Sequence, residues 1–93
     1  MIIGLLTLEI YLPYSHSLKE KRKTLNRIKD RLKKKFNIAF AELEYQNKWQ
    51  RSKIGLVTIN AQKRMIENMF HAIIRDIEEI IEGEILQKEI IYF

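Results

Sequence analysis

Ten of the chain's seventeen basic side chains fall between Lys19 and Lys35, offset only by Glu20 and Asp30, so this run carries a formal charge of +8. Cations at that density are suited to holding phosphates. Lys19, Lys23, Arg27 and Lys34 recur on one side at helical spacing, with Arg31, Lys33 and Lys35 flanking them. A helix through this run would offer RNA a phosphate-contacting surface. The plainer alternative is a solvated face kept soluble by charge. Opposite charges at i+4 are scarce, so most of these cations repel one another and cost stability. Lys21 is placed differently, on the apolar side with Leu18, Leu25 and Ile28, and Arg22 sits at the edge of that stripe. Either Lys21 snorkels, with its stem buried and its charge at the rim, or it aims a cation across the helix start toward the hairpin end.

A second constellation lies at Gln46–Arg51. Trp49 stands there among polar residues, with Gln46, Asn47, Gln50 and Arg51 able to supply hydrogen bonds. Its indole either folds back as a lid on the core or presents a flat surface for stacking on a base or a partner. Other chemistry is sparse. The chain has no cysteine and three glycines, so neither a thiol site nor a glycine-rich phosphate loop can form. His16 and His71 are far apart and belong to no cluster with metal-ligand spacing. A non-catalytic protein with no metal and no cofactor is expected.

These residues need elements to position them. Residues 2–12 alternate, with Ile2, Leu6, Leu8, Ile10 and Leu12 on one face and Ile3, Leu5, Thr7, Glu9 and Tyr11 on the other, which predicts a strand packed on helices. Pro13 ends it. Ser17 followed by Glu20 reads as a capping box that starts a helix over residues 18–36. Strands are predicted over residues 37–45 and 51–60, joined by a short hairpin connection. Asn60 is the expected cap of a second helix over residues 61–82, Gly83 its stop, and residues 84–93 a last strand.

The order β-α-β-β-α-β with right-handed crossovers gives an α+β, ferredoxin-like fold: a four-stranded antiparallel sheet with two helices on one face. Residues 13–17 and 46–50 then meet at one end of the sheet. The face opposite the helices is left open, offering Ile3, Leu5 and Tyr11, joined by Phe40 if that side chain points outward. Such a patch resembles a subunit interface, so a homodimer is expected. The RNA recognition motif uses aromatics on its central strands, and residues 51–60 carry none. Acylphosphatases share the topology, but their glycine-rich first loop is absent here.

With 93 residues, 46% hydrophobic and 31% charged, residues 1–93 are expected to form one domain around one core. No run approaches the ~18–20 apolar residues of a membrane span, and the first residues lack the layout of a signal peptide. A cytoplasmic location with no membrane partner is expected. Residues 61–93 carry four basic and seven acidic side chains, so the basic run sits on an otherwise mildly acidic protein. Ile, Lys and Glu supply 37 residues, a bias of heat-adapted proteins, which points to a thermophilic source.

Three segments carry a family resemblance: Ser17-Leu18-Lys19-Glu20-Lys21-Arg22, Ala41-Glu42-Leu43, and Gln46-Asn47-Lys48-Trp49-Gln50-Arg51 followed by Gly55. In this order and spacing they resemble the YlxP-like family, small bacterial proteins of unassigned function, over almost the whole chain. The resemblance implies a ferredoxin-like fold. Genes of that family often lie near those for translation and ribosome assembly, which implies a role near RNA or the ribosome. It supplies no catalytic residues. The family pattern has an acidic residue where Asn47 stands, so no role for a hairpin carboxylate is expected.

Taken together, the leading expectation is an RNA- or ribosome-associated protein using Lys19, Lys21, Arg22, Lys23, Arg27, Arg31, Lys34, Trp49, Gln50 and Arg51. The alternative is a dimeric interaction module using the open sheet face. A third is an enzyme acting on a phosphorylated small molecule in the corner between residues 13–22 and 46–51.

Overall fold

The computed structural model describes every residue, Met1–Phe93. Strand β1 (Ile2–Tyr11) buries Leu6, Leu8 and Ile10 and leaves the alternate residues partly exposed, as its period of two requires. It is a central strand. Beside it run β3 (Arg51–Asn60) and β4 (Glu84–Tyr92), with β2 (Ala39–Glu44) outside β3, in the order β2-β3-β1-β4. All three pairings are antiparallel. Helices α1 (Leu18–Lys35) and α2 (Lys63–Ile80) complete the expected ferredoxin-like order.

One core explains why both helices share a face. Leu25, Ile28 and Leu32 of α1 pack with Ile66, Phe70, Ile73 and Ile77 of α2 on the inward residues of β1 and β3, within a cluster of 16 buried apolar side chains. The other face has no cover, and Val57, Ile59, Ile91 and Phe93 are exposed. Phe40 does not join that face. It sits opposite Leu56 and packs against the core, because the register of β2 turns it toward the helices. No helix is long and apolar enough to cross a membrane.

Element ends follow local hydrogen bonding. Ser17 Oγ accepts from the Glu20 N–H at 3.0 Å, as a capping box requires. The Glu20 carboxylate reaches back to the His16 N–H at 2.7 Å, one residue earlier than the box prescribes. Asn60 does not cap α2. It remains paired with Ile2 at the end of β3, and its Oδ1 accepts from the Gln62 N–H at 2.9 Å, so the chain turns for two residues before the helix begins. Gly83 also acts otherwise than expected. The helix stops at Ile80, and Gly83 is needed because a Cβ there would collide with the Tyr11 carbonyl oxygen.

The β1–α1 loop and the β2–β3 hairpin meet at one end of the sheet. The Leu12 N–H donates to the Gln50 carbonyl at 2.7 Å, and Gln50 Nε2 donates to the Pro13 carbonyl at 3.0 Å.

Candidate nucleic-acid interface

Helix α1 divides its charges between two environments. Lys21 is 1% exposed, so its ammonium does not reach the rim. It points across the helix start into the hairpin, donating to the Tyr45 carbonyl at 2.7 Å and lying 2.9 Å from Glu42 Oε2. The carbonyls of Gln46 and Arg51 lie at 3.4 Å. The same Glu42 oxygen accepts from Ser52 Oγ at 2.6 Å. A buried cation needs this company, since removing it from water costs several kcal/mol. Lys21 is therefore no phosphate contact, and snorkelling does not describe it. It clamps the hairpin to α1.

The outer face of α1 is the opposite case. Lys19, Arg22, Lys23, Arg27, Arg31, Lys34 and Lys35 line one open surface, interrupted only by Asn26 and Asp30. Lys35 reaches Asp76 of α2 at 2.9 Å. Setting aside Lys21 and Lys35, the other eight cations of the run have no carboxylate within 4.0 Å.

Trp49 is 55% exposed and covers none of the core, so the lid does not exist. It lines a separate, open depression with Tyr11, Tyr45, Asn47, Lys48, Gln50, Arg51 and Leu86. This depression shares no lining residue with the α1 surface, so the ten candidate residues divide into two surfaces and one buried clamp. Arg51 lies 4.6 Å from the centre of the Tyr45 ring and donates to Glu9 Oε2 at 2.8 Å. The Tyr45 hydroxyl donates to Glu9 Oε1 at 3.3 Å. The bond from Arg51 holds the Glu9 carboxyl below the usual carboxylate range, and Glu9 raises Arg51 in turn. Tyr45 has φ 66°, a left-handed conformation uncommon outside glycine, and its carbonyl accepts from both Lys21 and the Lys48 N–H.

Tyr45 and Leu86 were not legible as site residues. A bulge explains Leu86: Glu9 pairs with Gln87 and Ile10 with Ile85, so Leu86 is the extra residue pushed out beside Tyr11. Tyr11 carried a signal, since strand alternation places it on the open face, where the register of the sheet sets it opposite Arg51. The cavity beside the β1–α1 loop, about 430 Å³, is lined by Tyr14, Ser15, Glu20, Lys23, Arg27 and Glu82 among others, and by no residue of the hairpin. The corner expected between residues 13–22 and 46–51 is thus not one pocket.

Residues 3–90 match the family model described as protein of unknown function (DUF503). The uncharacterized protein YlxP of Bacillus subtilis (strain 168) is 32% identical over 83 residues, covering 89% of this chain and 90% of that one. Among solved structures, the de novo designed protein Ferredog-Diesel matches with a TM-score of 0.51 and 15% identity, covering 94% of this chain and 83% of that one. That likeness is one of fold.

Proposed function

The chain belongs to the DUF503 family of proteins of unknown function, in keeping with its YlxP-like motifs, and we propose that it is a non-catalytic RNA-binding protein that docks on structured RNA or a ribosomal particle through the outer face of α1. One observation carries this reading: eight cations on a single helix have no carboxylate within ion-pairing distance. Unpaired like charges at i+4 destabilise a helix by about 0.2–0.5 kcal/mol per pair, a cost that phosphates would reverse. The gene neighbourhood implied by the YlxP-like resemblance, near translation genes, is in keeping with a ribosomal setting. The test is RNA retention at low salt by the wild type and by the Lys23→Gln/Arg27→Gln/Lys34→Gln variant. Retention lost in the variant supports the reading, and equal retention contradicts it.

A second reading rests on the uncovered sheet face. Val57, Ile59, Ile91 and Phe93 are exposed there, and two copies packing these faces would shield them from water. The two readings use opposite sides of the sheet and are compatible.

A further inference from the structure

We infer that the pocket beside the β2–β3 hairpin takes one unpaired nucleobase, which would make the protein prefer single-stranded over duplex RNA; this rests on the RNA reading above and adds base contact to it. The lining fits a flat, neutral ring joined to a phosphate. Tyr11, Tyr45 and Trp49 supply aromatic surface, and Lys48 and Arg51 supply cations. The one carboxylate bonded to this lining, Glu9, is already held by Arg51 and by the Tyr45 hydroxyl, and it lies outside the lining itself. A neutral ring and its phosphate therefore meet no competing acid.

The pocket is also held ready. Arg51 stacks on Tyr45 and leaves the exposed indole of Trp49 as the surface open to a base. Lys21 fixes the hairpin backbone from below, at the residue whose φ is left-handed. Strain of that kind persists only where the surroundings over-determine it, and it gathers at sites that bind. Because Lys21 also belongs to the first turns of α1, the pocket is tied to the helix whose outer side carries Lys19 and Arg22. A strand whose phosphates follow α1 could place a splayed base in the pocket. A duplex keeps its bases stacked inside and could not.

Trp49 is the chain's only tryptophan, so its emission reports this pocket alone. A short labelled single-stranded oligoribonucleotide of mixed sequence, the duplex it forms with its complement, and unlabelled inorganic polyphosphate are titrated at low salt. Anisotropy, direct for the RNAs and by displacement for polyphosphate, reads binding, and Trp49 emission reads stacking. The single strand should bind and quench Trp49, whereas polyphosphate should bind without quenching. Trp49→Ala should weaken single-strand binding about 10- to 100-fold and leave duplex binding unchanged, and Trp49→Phe should retain most of the affinity. Thermal melts of both variants check that the fold persists. Single-strand binding with unquenched emission, or with equal affinity in Trp49→Ala, overturns the pocket and leaves the α1 reading standing. No binding of any RNA overturns both.

Discussion

At the scale of the residue, Lys21 governs more than its position in a basic run suggests. Its cation joins α1 to the carbonyls of the hairpin and to Glu42, and all three YlxP-like segments meet around it. Removing one partner of a buried pair costs about 3–5 kcal/mol. Glu42 keeps 19% of its side chain exposed, which favours the lower end of that range. Lys21→Ala is therefore expected to lose about 3 kcal/mol in urea denaturation, or more than about 10 °C in Tm for a domain of this size. Unchanged stability would show that the clamp is idle. Glu9 gives a prediction in pH. Its folded pKa is lowered from 4.5, so its contribution is fully present above that value and is lost as pH falls through the lowered one. The Tm difference between wild type and Glu9→Gln should accordingly shrink toward acid. A difference that stays constant down to the lowest pH at which the protein folds would contradict the Arg51 pairing.

At the scale of the element, α1 is a helix that packs well and repels itself. Leu25, Ile28 and Leu32 secure it to the core while Lys19, Lys23, Arg27 and Arg31 follow one another at i+4. Replacing Lys23, Arg27 and Lys34 with Gln relieves three such contacts and the Arg31–Lys34 contact at i+3, and gives up three attractive spacings, Glu20–Lys23, Arg27–Asp30 and Asp30–Lys34. The variant should melt no lower than the wild type even as it loses RNA. A lowered Tm would mean that these cations serve the fold. This element was legible because a period of 3.6 separates its two faces without help from the rest of the chain. The destination of Lys21 was legible only as one of two readings, since the choice between the hairpin end and snorkelling depends on where a hairpin 24 residues later folds. The start of α2 was misread for a similar reason: β-pairing holds Asn60 in the sheet and overrides its capping preference.

At the scale of the whole molecule, charge and apolar surface are kept apart. The basic face of α1 lies on one side, and the uncovered sheet with Val57, Ile59, Ile91 and Phe93 on the other. If that sheet face joins two copies, wild-type sedimentation should shift with concentration, and Ile59→Lys should hold the protein at its monomer mass of 11.2 kDa. A wild type that stays monomeric at every concentration removes the dimer. The topology was readable from the element order. The aromatic pocket was not, because it forms where one bulge displaces Leu86 and another interrupts the pairing of β2 just before Tyr45, and bulges leave no period in a sequence. The central claim concerns phosphate contact through α1, and salt tests it most directly. Each neutralised phosphate contributes about 0.7 log units of affinity per log unit of salt for a single strand and about 0.9 for a duplex. Measured with single-stranded RNA across a salt series, the wild type should lose affinity steeply, and the triple Gln variant should show a slope shallower by about 2. Affinity independent of salt, or a slope that the three substitutions leave unchanged, would contradict the claim.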